Sequence, residues 1–450
     1  SPSVEAILHA IIPQKFVDHT HTDAVVTLSN NPAGEDILRE LYPDCLILPY
    51  VMPGFILSKQ VYEAIRDIDL GQYKGIILMH HGVFTFHDDA RTAYDDMIEL
   101  VTRAEQYITD RGVTEHPTEA GATDLMDLAR IRRAVSLVRG RAQLAVLDDS
   151  PDAVGYSRRE DLDAIATRGP ITPDHVIRTK RIPVIIEGSP AEGVPEIEQF
   201  ASDYRAYFER NGHDGLHILD QAPRLGLWRG RGSIAFGGST KECGIVADIA
   251  RHTRWCVQTG ESLGGWEALP EKDIFELEYW VLEQAKLGKS SGPGKPHQGK
   301  VALVTGAYSG IGRATCEALH ADGATVVGLD IHADTGAALG EQGMLGLVCD
   351  LTDDAAIQAA VEQVVATYGG LDIAVCNAGI FQSGERIEEH SAATWDQTMA
   401  VNLTATQRLL TAVIPYLKLG IEPSILLVGS RNYSAPGPGA AAYSVSKAGI

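Results

Sequence analysis

The chain has 450 residues, enough for two or three domains, and its 44% apolar and 22% charged residues supply ample material for buried cores. Its 38 Lys and Arg against 60 Asp and Glu give a net charge of −22, which argues against nucleic acid or an anionic membrane as partner. With no apolar run long enough to span a bilayer and six cysteines free of any Cys-x-x-Cys pairing, reduced thiols in a cytoplasmic protein are expected.

Residues 3–10 predict an opening helix with Glu5 and His9 one turn apart. Glu5 there either favours the helix dipole or, beside a metal, acts as a general acid or base. Residues 17–23 read as a strand, so His19 and His21 point to one side. Neutral imidazoles so placed suit a divalent transition metal, zinc above all. Residues 75–83 read as a further strand running into Gly82, and His81, preferred over His80, offers a third imidazole. Three protein ligands with an open position are the arrangement of a catalytic zinc. His87 is expected at the start of the next helix, and no internal repeat is evident.

Further along, residues 168–180 form a proline-punctuated segment in which His175 and Lys180 are either substrate contacts or parts of a turn. Gly226–Gly232 reads as a hairpin turn, and 273–287 predicts one closing amphipathic helix. Gly, Ser, Pro and Lys then take over, which divides the chain into a first domain at 1–288, a linker at 289–298 and a second domain at 299–450.

Beyond the linker, strands predicted at 300–305, 324–330, 345–349, 372–376 and 424–429 alternate with helices, the pattern of a doubly wound parallel sheet. A dinucleotide-binding sheet of this kind has a sixth strand, so the domain is expected to be cut short. After the first strand come Gly306, Gly310 and Gly312, which permit a tight turn, a close approach to a pyrophosphate and close helix packing. Asp330, closing the second strand, would bond the ribose hydroxyls and repel a 2′-phosphate, favouring NAD over NADP. Tyr443 and Lys447 lie one helical turn apart, where the ammonium would make the phenol a usable acid or base. Ser430, at a strand end, could bond the reacting carbonyl or alcohol.

With these motifs the second half resembles the short-chain dehydrogenase/reductase family. Thr305 to Gly312, with Ser309 and Ile311 inside the turn, matches its glycine motif; Asn377-Ala378-Gly379, Ser430, Tyr443 and Lys447 match the rest. The resemblance implies that Asn402 completes a proton relay, that Asp350 and Leu351 contact adenine, and that Lys447 also holds the nicotinamide ribose. The first half resembles the class II aldolase/adducin family, through Ser3, Glu5 and His9 on the helix and through His19, His21 and His81-Gly82. Val4 replaces one of two serines that the family uses on phosphate, and the family's upstream sheet is expected to be missing.

Over nearly its whole length the chain resembles bifunctional rhamnulose-1-phosphate aldolase/short-chain dehydrogenases. The fold expected is a zinc-dependent class II aldolase-like α/β domain followed by a truncated Rossmann domain. The resemblance implies zinc-dependent cleavage of a ketose 1-phosphate, L-rhamnulose 1-phosphate in rhamnose catabolism, into dihydroxyacetone phosphate and L-lactaldehyde. NAD-dependent hydride transfer on a small hydroxy-carbonyl compound would follow. A homo-oligomer, a tetramer by resemblance, is expected. The alternatives are a sugar-phosphate epimerase or dehydratase, or a non-catalytic adducin-like module joined to a working dehydrogenase.

Overall fold

The computed structural model describes residues 5–113, 117–190, 193–287, 294–382 and 386–450. Ser3, Val4 and linker residues 289–293 lie outside the described residues. Three sheets account for the strands described.

The first sheet contains β1 (Phe16–Thr20), β2 (Cys45–Leu48), β3 (Gly75–Leu78) and β4 (Gly82–His87), in the order β1-β4-β3-β2. The second contains β5 (Leu144–Asp148), β6 (Val184–Ile186), β7 (Leu225–Trp228) and β8 (Gly232–Gly237), in the order β5-β8-β7-β6. Both have the same directions, with one parallel pair and two antiparallel ones. The registers also correspond: Leu78 faces Gly82 and Phe16 faces His87, as Trp228 faces Gly232 and Leu144 faces Gly237.

The likeness extends to side-chain detail. Helix Asp23–Ser29 ends on a serine whose hydroxyl donates to Val26 O and accepts the N–H of His80, a turn residue at φ 57°. Helix Pro151–Ser157 ends on a serine that donates to Val154 O and accepts the N–H of Gly230, at φ 75°. The long helices that follow, Ala90–Arg111 and Thr240–Ser262, are capped by Asp89 and Ser239, each accepting an N–H three residues on. The chain therefore contains an internal repeat, contrary to the reading of its sequence. The two copies share backbone devices and almost no diagnostic side chains.

The third sheet is all parallel, in the order β11-β10-β9-β12-β13, from β9 (Val301–Thr305), β10 (Thr325–Asp330), β11 (Leu345–Val348), β12 (Ile373–Cys376) and β13 (Ser424–Leu427). Its inner strands β9, β10 and β12 are largely runs of buried Val, Ile, Leu and Ala, whereas β11 is partly buried and β13 is exposed along its length. One continuous apolar cluster joins it to the second sheet, Leu144, Ala235 and Val246 packing with Val361, Val364 and Ala374.

A charged pair pins that junction. Arg132, on helix Leu125–Arg139, and Asp372, just before β12, are 1% and 0% exposed. The guanidinium donates to both Asp372 oxygens and to the carbonyls of Gln143 and Gly299, while the carboxylate also accepts the N–H groups of Val301 and Ile421. Removing one charge strands the other, so Arg132→Met is expected to cost about 3–5 kcal/mol of stability. A urea midpoint unchanged from wild type would show that the pair is dispensable.

Two local expectations change. The closing helix is two, Glu271–Glu278 and Val281–Lys286, broken where the Trp280 ring packs against Gly54 and the Tyr279 hydroxyl meets Tyr204. His87 ends β4 rather than starting a helix, its Nδ1 accepting the Asp89 N–H.

Candidate active sites

His19 lies within β1 opposite Phe84, whose ring it stacks on at 3.8 Å. Its Nδ1 is 2.9 Å from Val83 O. A carbonyl can only accept, so Nδ1 carries the hydrogen and Nε2 presents its lone pair. That Nε2 is 2.9 Å from His21 Nε2 and 3.3 Å from Glu5 Oε1. His21 stands one residue past the strand, not within it. His81 comes from the β3–β4 turn, with Nε2 3.5 Å from the same Glu5 oxygen.

One donor atom from each of Glu5, His19, His21 and His81 fits within 4.8 Å. Neighbouring ligands on a tetrahedral zinc lie about 3.3 Å apart, a spacing these distances match. Both ring nitrogens of His81 are buried without a hydrogen-bond partner, a costly state that a cation would relieve at Nε2. The imidazoles of His19 and then His81 beside it hold the Glu5 carboxyl well below the usual carboxylate range. Burial, then the charge of His81, pushes His21 down to about 3, so the imidazole is neutral as a ligand must be. Gly82 is required: a Cβ there would sit 2.5 Å from Thr20 O and 2.8 Å from the His21 ring. His80 is outside the group.

Among its described residues the second repeat has no such set. The register puts Leu147, Asp149 and Arg231 where His19, His21 and His81 stand, and Arg231 donates to Ala122 O. It instead supplies a wall that sequence reading missed. Asp174, in the single turn Pro173–His175, stands within electrostatic reach of His21 and His81, and buried Glu283 within reach of Glu5. Lys286 is 3.0 Å from Asp174 and 2.6 Å from Glu283. No motif ties these residues to histidines so far away in the chain. Lys180 is elsewhere, 3.4 Å from Glu278 and over the Tyr204 ring.

In the third sheet, Gly306 (φ 67°) turns the chain against Asn377, and a Cβ on Gly312 would lie 1.9 Å from Gly306 O. Gly310 (φ 58°), at the N-terminus of helix Gly310–Ala321 after Ser309 and before Ile311, faces open space, as a turn that admits a pyrophosphate must. Asn377 Nδ2 donates to Thr305 O, and the Thr305 hydroxyl accepts the N–H groups of Asn377 and Ala378. Asp330 accepts the N–H groups of Tyr308 and His332, whose rings stack at 3.7 Å beside it. Asp350, next to Leu351, caps a local turn through Thr352.

Asn402 lies in a π-helical stretch, Ala400–Thr404, clamping Ile380 through its N–H and carbonyl and donating to Ser446. Gly379 faces both Asn402 and Lys447. Lys447 Nζ donates to Val428 O and lies 5.8 Å from the Tyr443 ring centre; burial pushes its pKa down. Ser430, just past β13, accepts the Asn432 N–H.

Residues 1–108 match the family described as class II aldolase and adducin N-terminal domain, residues 122–287 that described as aldolase class II, second domain, and residues 300–450 that described as short chain dehydrogenase. The protein named uncharacterized oxidoreductase YuxG of Bacillus subtilis strain 168 is 31% identical over 480 residues, covering 99% of this chain and 68% of its own length. D-threitol dehydrogenase of Mycolicibacterium smegmatis is 42% identical over 121 residues, 26% of this chain and 46% of its own. The 3-oxoacyl-[acyl-carrier-protein] reductase FabG of Escherichia coli K12 is 36% identical over 159 residues, 34% of this chain and 64% of its own. No helix among the described residues is long and apolar enough to cross a membrane.

Proposed function

Since the chain belongs to the class II aldolase/adducin family through residue 287 and to the short-chain dehydrogenases from residue 300, it is a bifunctional aldolase/oxidoreductase, and we propose that it cleaves a ketose 1-phosphate and transfers hydride on a product of that cleavage. L-Rhamnulose 1-phosphate is the substrate proposed, with dihydroxyacetone phosphate and L-lactaldehyde as products. The observation that carries the reading is the convergence of Glu5 on three imidazoles, with one ligand atom from each of the four within 4.8 Å of the others.

His19, His21 and His81 would hold zinc, which when bound would polarise the substrate carbonyl. Glu5 then moves a proton at the carbon beside that carbonyl. In the second half NAD would bind along Gly306–Gly312, Asp330, Asp350-Leu351 and Asn377–Gly379, and when bound supplies the hydride acceptor. Tyr443 takes the alcohol proton, Ser430 bonds the reacting oxygen, Lys447 favours the phenolate, and Asn402 holds the adjoining backbone. The stretch 42% identical to a polyol dehydrogenase supports a small hydroxylated substrate. We further propose a cytoplasmic homo-oligomer with domains at 1–288 and 299–450 joined by 289–298.

The test is incubation with L-rhamnulose 1-phosphate, following dihydroxyacetone phosphate, lactaldehyde and NADH separately. Both carbon fragments are expected without NAD, their formation is expected to stop with a chelator, and NADH is expected once NAD is added. Metal-loaded protein that releases an epimer or a dehydrated sugar would replace the aldolase reading with one of those activities.

A further inference from the structure

Aldol cleavage moves two protons: one leaves the hydroxyl that becomes the aldehyde, and one arrives at the carbon left on the ketone half. Glu5 serves the second, so the first needs another acceptor. This inference therefore rests on the aldolase reading. Around the three-histidine group, Asp174 has the required chemistry. Its Oδ1 is engaged by Lys286 at 3.0 Å, whereas Oδ2 is buried with no hydrogen-bond partner. A buried carboxylate oxygen left bare is costly, and one within electrostatic reach of His21 and His81 is free to accept a hydroxyl from outside the protein.

The segment that carries Asp174 is fixed on both sides. Asn30, on the first repeat, donates to Ile171 O at 2.7 Å, and Val176 packs in a small apolar cluster with Tyr50 and Trp280. Lys286, itself braced by Glu283, holds the carboxylate from the closing helix. The loop is thus fixed against the first repeat, with Asp174 within electrostatic reach of His21 and His81.

We propose that Asp174 accepts the hydroxyl proton released as the substrate's carbon–carbon bond opens. The O–H proton passes to Oδ2 as the aldehyde C=O forms, and the electron pair of the broken bond stays on the ketone half. That carbon is reprotonated through Glu5 with a proton drawn from solvent, to which Asp174 returns its own. The second repeat, stripped of metal ligands, thereby contributes a catalytic residue to the first.

The experiment compares wild type with Asp174→Asn on three readouts: zinc per chain, deuterium exchange into dihydroxyacetone phosphate alone, and cleavage of L-rhamnulose 1-phosphate. Exchange needs Glu5 but no aldehyde half. Asp174→Asn is expected to keep its zinc and exchange within about twofold of wild type while cleavage falls at least about 10²-fold. Cleavage within about threefold of wild type overturns the proposal, as does loss of zinc or exchange together with cleavage, which would make Asp174 a structural residue. Wild-type protein that neither exchanges nor cleaves overturns the aldolase reading and this proposal with it.

Discussion

Glu5→Gln is expected to lower aldol cleavage by about 10²–10⁴-fold, the usual worth of a positioned acid or base. The change keeps the side chain's size, so the opening helix Ala6–Ile11 and its contacts should persist. What disappears is a carboxylate 3.3 Å from His19 Nε2 and 3.5 Å from His81 Nε2 that can carry a proton to and from carbon. Three imidazoles remain as ligands, so the variant should still bind one zinc per chain, and deuterium exchange into dihydroxyacetone phosphate should fall in step with cleavage. Unchanged cleavage in zinc-loaded protein would remove Glu5 from the chemistry.

Tyr443→Phe should have the opposite pattern, with NADH formation down by about 10²–10⁴-fold and cleavage at the wild-type rate. The phenolic hydroxyl is the sole group lost, on a helix whose Lys447 stays anchored to Val428 O. The cleavage residues flank a different sheet, β1-β4-β3-β2, so nothing in the variant touches them. Measured on lactaldehyde plus NAD and on the sugar phosphate separately, the pair Glu5→Gln and Tyr443→Phe distinguishes two independent enzymes from one. If Tyr443→Phe also ended cleavage, the two reactions would share a step.

The dehydrogenase half was legible because its chemistry sits in local motifs at strand ends. All five of its strands lie within a residue or two of where the apolar runs put them. The grouping of the residues proposed to hold a metal was legible for the same reason: one strand carries His19 towards His21, and Gly82 follows His81 because only glycine fits beneath the rings. The repeat was not legible. Its two copies agree in hydrogen-bond register, in a left-handed turn and in Ser29 and Ser157, none of which leaves a readable pattern. Where residue types are diagnostic, at His19, His21 and His81, the second copy has Leu147, Asp149 and Arg231. Asp174 escaped notice because Pro173 beside it explains a turn equally well, and its neighbours are set by packing between the repeats.

The duplicated sheet also gives the protein an internal control for what a reactive site costs. At one position of the same scaffold, Arg231 donates to a carbonyl, whereas His81 is left with two buried, unpaired nitrogens. At this position the first copy is therefore the less relaxed of the two, a trade of intrinsic stability against readiness to bind. A cation binding only the folded first copy would return that difference by mass action, while Arg231 has nothing comparable to recover. Metal supply would then govern how firmly one half of a near-symmetric pair is folded.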